Sequence, residues 1–403
     1  MKRSRFALWL VALASTGSAL LVAEVLLRTL RPEAQQLFLV QSLHESERGK
    51  FSVYDEVLGW TGKPNVDGTY DEIDCHHHVQ QNSYGFRGPG FPIERTAARR
   101  VVVLGDSFVW GLGVEEDELF TTLLMRNSHE PLEVINLGVS GYGTDQELLL
   151  WTRLGQRFRP DLVLLLVTPW TDLYDNLSGE RYAYPKPFFH WNDAQNELEL
   201  LNVPVPRRAQ AWEVDTFGPV APFEESIWLR WLPRSALASN AAYALAHVPS
   251  VRHAMELAGI VVPRQPGNAW EDHFFEQSPD AETSEGWMLM GQLLSAFAAS
   301  VRQTGAALAV VIVPTPLQVY PELWSVFEQT HPRPVDNPLD PQLPARLLTE
   351  MCYQRGIRVI DLQPALAAAG RSEPYLYFKW NMHWTALGHR VVAAALQQEL
   401  ANP

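Results

Sequence analysis

Val101-Val102-Val103-Leu104-Gly105-Asp106-Ser107 is the stretch from which the rest of the chain can be read. Four branched aliphatic residues in a row, without polar alternation, suit a strand covered on both faces. A glycine then lets the backbone turn tightly, and a serine follows at the carboxyl end of the strand, the edge where parallel sheets bind ligands. Four further runs have the same character: Leu132–Asn136, Leu162–Val167, Leu308–Val313 and Ile357–Ile360. Helical patterns lie between them, one opening at Thr144-Asp145-Gln146-Glu147 and another capped by Thr385 over Ala386–Leu400. The alternation predicts an α/β domain, a three-layer sandwich around a five-stranded parallel sheet, from about residue 98 to residue 403.

A serine is nucleophilic at neutral pH only with a base beside it. His383, in Asn381-Met382-His383-Trp384, lies after the fifth run and before the last helix, so its loop opens at the same sheet edge. That pairing is what acyl transfer requires. Between the two lie Asn136-Leu137-Gly138-Val139-Ser140-Gly141 after the second run and Thr168-Pro169-Trp170-Thr171-Asp172 after the third.

These four blocks, in this order, resemble the SGNH (GDSL-type) hydrolases over about three quarters of the chain. The resemblance implies Ser107 as nucleophile, His383 as base and then acid, and the N–H groups of Ser107 and Gly138 as oxyanion donors. Asp106, Thr171 and Asp172, from the same blocks, join Gly138 as the group expected at the oxyanion or the substrate. Two departures stand out. Thr171 occupies the place where relatives carry an asparagine donor. Asn381 and Trp380 occupy the places where relatives carry the aspartate that orients the histidine. Loss of an oxyanion donor costs about 10²–10³ in rate and a triad Asp-to-Asn change about 10⁴. Slow turnover is the expectation, with a gain for Asn381→Asp.

The beginning of the chain carries a different signal. Lys2, Arg3 and Arg5 precede an apolar run from Phe6 to Ala23 that continues through Leu30, longer than a secretory h-region. Residues 1–30 are therefore read as an uncleaved membrane anchor, with a cleaved signal as the competing reading. The basic flank favours a cytoplasmic N-terminus and an extracytoplasmic remainder, periplasmic or at the cell surface. Residues 31–97 read as a stalk and lead-in with no core of their own. The start of the chain, with Leu58-Gly59-Trp60, Lys63-Pro64-Asn65 and Asn82–Arg87, resembles a membrane-anchored bacterial subgroup of the same family.

A long Pro-rich insertion at about 177–284 carries Trp191, Trp212, Trp228, Trp231 and Trp270; insertions of that length are often lids or substrate walls, although most of these indoles suit simple packing. The net charge of −14 over 403 residues excludes a broad nucleic-acid footprint. Cys75 and Cys352 fit either a disulfide or two buried thiols. Cys75-His76-His77-His78 reads as a solvated loop, not a metal site, because consecutive side chains diverge. No glycine cluster has dinucleotide-binding spacing, and no cofactor is expected. The function expected is a serine ester hydrolase or O-acyltransferase acting on acyl groups of a glycan or lipid. The alternative is a catalytically weakened binding or accessory protein of envelope polysaccharide assembly.

Overall fold

The computed structural model describes residues 2–30, 49–71, 74–95, 98–181, 184–207, 234–246, 251, 254–255, 272–331, 333–379 and 381–401. They divide into two compact units, Met1–Gly49 with Gly218–Pro263 and Lys50–Phe217 with Arg264–Pro403.

The first unit contains α1 (Lys2–Leu30), which packs against a second helix, Ala236–Ala246. The Glu24 carboxylate caps that second helix. It accepts hydrogen bonds from Ser235 Oγ at 2.9 Å and from the N–H groups of Ala236 and Leu237 at 2.8 and 2.9 Å. Arg28 Nε pairs with Glu24 at 2.7 Å. The expectation that residues 1–30 cross a membrane is not met, because among the described residues no helix is long and apolar enough to do so. The charged pair Glu24–Arg28 is instead committed to packing a neighbouring helix.

In the second unit the five apolar runs are five strands: β1 (Arg99–Gly105), β2 (Leu132–Gly138), β3 (Leu162–Val167), β4 (Ala307–Ile312) and β5 (Arg358–Asp361). They form one parallel sheet in the order β5-β4-β3-β1-β2. Strand β1, at an inner position, carries the serine, and its Gly105 is paired with Gly138 of β2.

Helices follow the strands as the alternation predicts: α2 (Ser107–Trp110) and α3 (Phe120–Arg126) after β1, α4 (Thr144–Arg153) after β2, and α5 (Pro169–Asp175) after β3. Further along come α6 (Ala281–Gln303), α7 (Leu343–Gln354) and α8 (Ala386–Ala401). Successive strand side chains point to opposite faces. On one face Val101, Val103, Leu164, Leu166, Val311 and Ile360 pack with Phe120, Leu124, Val392 and Leu396 of α3 and α8. Helices α4, α6 and α7 pack against strands of the sheet as well, and α6 packs on α4 and α5. Helix α4 starts at Thr144 with Gly143 as its N-cap. Thr385 Oγ1 accepts the N–H of Gly388 at 3.3 Å, the cap foreseen for the last helix.

The lead-in is not a bare stalk. Residues 49–95 carry two antiparallel hairpins, Ser52–Asp55 with Gly59–Gly62 and Asp67–Asp71 with His76–Gln80. Phe51, Tyr70, Cys75 and Val79 form a small core with Trp110 and Leu112, which follow the nucleophile position. Arg87, almost fully buried, donates to the carbonyls of Gly111 and Val114 at 2.6 and 2.8 Å. The lead-in thus braces the turn that carries Ser107. Of the insertion, the described residues include the hairpin Phe188–Asn192 with Glu197–Leu201, which holds Trp191. Trp212, Trp228, Trp231 and Trp270 lie outside the described residues.

Candidate active site

Ser107 is the first residue of α2, one residue past the end of β1 at Gly105. The turn there tolerates only glycine at position 105, since a Cβ would lie 2.3 Å from Val109 Cγ2. Asp106 is the N-cap of α2, its Oδ1 accepting the N–H of Phe108 at 2.8 Å. Burial pushes this carboxyl up to about 6.

Across the edge, His383 Nε2 lies 2.7 Å from Ser107 Oγ. The two predicted residues, 276 positions apart, therefore meet. On the other side of the imidazole, Nδ1 lies 2.8 Å from the backbone carbonyl oxygen of Asn381. A carbonyl can only accept, so Nδ1 carries the proton and Nε2 presents its lone pair to the serine hydroxyl. The His383 ring packs on Phe108 with centroids 4.8 Å apart. Its backbone carbonyl accepts the N–H of Phe378 at 2.8 Å.

Asn381 contributes its main chain to the imidazole and its side chain elsewhere. Its Oδ1 accepts the N–H of His383 at 3.0 Å, and its Nδ2 donates to Cys75 Sγ at 3.3 Å. The peptide turns sharply at Met382, which sits at φ +61°, a region non-glycine residues seldom occupy.

The four residues expected at the oxyanion or substrate have other employment. The N–H of Gly138 donates to Asn136 Oδ1 at 2.8 Å, so it is spent on its own loop. Gly138 is required for a different reason: a Cβ there would lie 2.3 Å from the backbone nitrogen of Trp110. The Thr171 hydroxyl donates to the carbonyl of Thr168 at 3.1 Å, folding back on its helix. Asp172 is buried and accepts the N–H of Thr168 at 2.9 Å. Asp106 is the cap already described. The N–H of Ser107, at the first turn of α2, remains suited to a developing oxyanion, as helix N-terminal amides are.

Beneath this edge lies a group that the sequence did not bring to attention. Asp145 and Glu147, in the first turn of α4, are buried with Asp106, Asp172 and Asp175. Lys186, from the insertion, is fully buried and places Nζ 2.5 Å from Asp145 Oδ2. Arg181 Nη1 lies 2.9 Å from Asp175 Oδ1. Glu147 is held well above the carboxylate range by burial and by Asp172, Asp106 and Asp145; burial and Asp106 do the same to Asp172. The neutral acids lower the charge that the interior must hold.

His76 and His78 point outward and pair with Asp71 and with Asp67, the latter at 2.8 Å, while the buried His77 accepts the N–H of Gly113 at 3.3 Å. Among the described residues no group of three or more His, Cys, Asp or Glu is arranged to hold a metal ion. Both cysteines are buried thiols. His389 is buried, accepts the N–H of Phe120 at 3.2 Å, and is lowered to about 3 by burial, hence neutral.

A parallel α/β sandwich thus brings a serine after its first strand and a histidine before its last helix into hydrogen-bonding contact, the pairing that acyl transfer requires. Residues 271–403 match the family described as SGNH hydrolase-like domain, acetyltransferase AlgX. Solved structures similar to the chain include an alpha/beta hydrolase enzyme from the metagenome of Lake Arreo, Spain, at 12% identity over 75% of this chain and 95% of that one, with TM-score 0.37. Another is an acetylxylan esterase from Geobacillus stearothermophilus, at 10% identity over 75% and 93%, with TM-score 0.35. No curated protein matches the chain.

Proposed function

We propose that this protein is a serine ester hydrolase or O-acyltransferase acting outside the cytoplasm on acyl groups of a glycan or lipid. The observation that carries the reading is the 2.7 Å contact between Ser107 Oγ and His383 Nε2, with Nδ1 held by the Asn381 carbonyl. The match of residues 271–403 to a family described as acetyltransferase supports acetyl as the acyl group.

The chemistry follows from the tautomer. Ser107 Oγ attacks the ester carbonyl carbon as its proton passes to His383 Nε2, and the carbonyl oxygen becomes the oxyanion at the N–H of Ser107. The tetrahedral species collapses, the C–O bond to the alcohol breaks, and Nε2–H returns the proton to the leaving oxygen. Water or an acceptor hydroxyl then gives its proton to Nε2 and attacks the acyl-serine; the bond from the acyl carbon to Ser107 Oγ breaks as Nε2–H returns that proton to Oγ, releasing acid or a new ester. Which acceptor is used separates hydrolase from transferase.

Position outside the cytoplasm is supported by the basic flank Lys2, Arg3 and Arg5 ahead of the apolar run Phe6 to Ala23, a pattern that also suits a secretory signal. Fractionation of the expressing cells tests the location. Covalent labelling by a fluorophosphonate, lost in Ser107→Ala, tests the nucleophile; an unlabelled native protein overturns the enzyme reading. The second reading, a binding or accessory protein with little turnover, is favoured by the carbonyl where relatives have a carboxylate and by the turned-away Thr171 hydroxyl. It predicts glycan binding without labelling.

A further inference from the structure

We infer that Asp74 and Cys75, on the lead-in, are positioning residues for His383: they fix Asn381 so that its carbonyl takes over the orienting role of the missing carboxylate. The inference rests on the acyl-transfer reading of Ser107 and His383.

The argument begins with what a carbonyl orienter needs. A triad carboxylate orients its histidine with a charged side chain that packing can hold. A backbone carbonyl does so only if the peptide bearing it is fixed, and here that peptide precedes a residue at φ +61°. A non-glycine residue in that region is strained and persists only where surrounding contacts over-determine it.

Asn381 is held at each of its other polar groups. Its N–H faces Asp74 Oδ2 at 3.4 Å, its Nδ2 faces Cys75 Sγ at 3.3 Å, and its Oδ1 accepts the N–H of His383. With these directions set, the carbonyl oxygen is left toward His383 Nδ1 at 2.8 Å. Two of the three restraints come from neighbouring residues of the lead-in, more than 300 positions earlier in the chain. Cys75 is anchored in turn, belonging to the core that Phe51, Tyr70 and Val79 build against Trp110, three residues beyond the nucleophile. One element therefore sets the base loop and the nucleophile turn together. Asp74 also brings a carboxylate to the loop two residues from His383, where a negative charge favours the imidazolium formed during attack.

The test uses the full chain with ¹⁵N-labelled histidine and two readouts, one independent of turnover. In the native protein, NMR should show His383 protonated at Nδ1 at neutral to mildly alkaline pH. Cys75→Ala should weaken that preference and lower kcat for p-nitrophenyl acetate roughly tenfold or more with little change in KM, since a mis-set tautomer is costly. Cys75→Ser, which keeps an acceptor in place, should restore most of it. Asp74→Asn, nearly isosteric, should move the His383 titration and the acid limb of kcat/KM to lower pH. Unchanged His383 tautomer and titration in folded Cys75→Ala and Asp74→Asn would overturn the inference. If the native protein turns over no ester yet both variants move the His383 signals, the positioning role stands and the hydrolase reading falls.

Discussion

The backbone carbonyl of Asn381 lies 2.8 Å from His383 Nδ1, while the Asn381 amide group points away to Cys75 and to the backbone of His383. The residue that looks like a defective triad member is thus not a member through its side chain at all. Its main chain performs the acceptor half of the orienting job. What it lacks is charge at the imidazolium, which a carboxylate would supply.

The first prediction concerns the dyad. Ser107→Ala should abolish fluorophosphonate labelling, and His383→Gln should lower the labelling rate by roughly 10³ or more, because the serine then has no base. Both should unfold at temperatures near the native value, as Ser107 and His383 are only partly buried. Labelling rates followed in gel, with thermal melts alongside, check this.

The second prediction reverses what the sequence suggests for position 381. An aspartate there would lose the Nδ2–H donor to Cys75 and set a second carboxylate beside Asp74, whose Oδ2 is 3.4 Å from the Asn381 nitrogen. Like charges at such range disfavour the folded loop. Asn381→Asp should therefore lower kcat several-fold where the family pattern predicts a gain. Ester turnover of the two proteins decides, and a clear gain would mean that the carboxylate reaches Nδ1 after all.

The parts that could be read from the chain are those that local rules govern. Five runs such as Leu162–Val167 announce buried parallel strands because short unbroken aliphatic runs, too brief for a helix and bounded by turn residues, suit strands covered on both faces. Their alternation with helices places Ser107 and His383 at one edge of the sheet. The lead-in was harder, although His76-His77-His78-Val79-Gln80 alternates exposed and buried in the period of a strand, a signal masked by three identical polar residues. The direction of a side chain or a peptide lies beyond such rules. Nothing local shows that Gly138 spends its N–H on Asn136, that Thr171 folds back on Thr168, or that Asp74 reaches Asn381. The first two are local options that a sequence offers without deciding, and the third is a product of tertiary packing.

The third prediction is a pH dependence of stability. Burial raises Asp106 to about 6 in the folded protein, above the usual value of about 3.9 in an unfolded chain. Between those values the folded state holds a proton that the unfolded state has released, so this group's contribution to stability falls as pH rises from about 4 to about 6. Asp106→Asn keeps an N-cap acceptor for the N–H of Phe108 and removes the titration. It should be more stable than the native protein at pH 7 by about 1–3 kcal/mol and show a flatter profile across that window. Urea titrations at pH 4, 5, 6 and 7 measure it. A native profile that rises with pH as steeply as, or more steeply than, that of the variant would refute the assignment.

The last prediction separates two roles for Gly138. As an oxyanion donor it would act through its N–H, which an alanine retains, and Gly138→Ala would spare activity wherever the fold survived. The structure assigns that N–H to Asn136 Oδ1 and makes the missing side chain the reason for glycine. A Cβ at this position would meet Trp110 N at 2.3 Å, Val109 C at 2.5 Å and Val109 Cβ at 2.8 Å. Two of those three atoms are backbone of α2, so they cannot swing aside, and relief requires the helix that begins at Ser107 to move off the sheet. Overpacking of this kind costs typically about 1–3 kcal/mol, and a displacement near 1 Å at the nucleophile can cost about 10²-fold in rate. Gly138→Ala should therefore lose both stability and fluorophosphonate reactivity. Gly138→Ser should fare no better, because its added hydroxyl does nothing to relieve the clash. A variant that keeps native stability and native labelling would overturn the packing role, and would leave the Gly138 N–H, retained in both variants, as the group that matters once its bond to Asn136 yields to substrate.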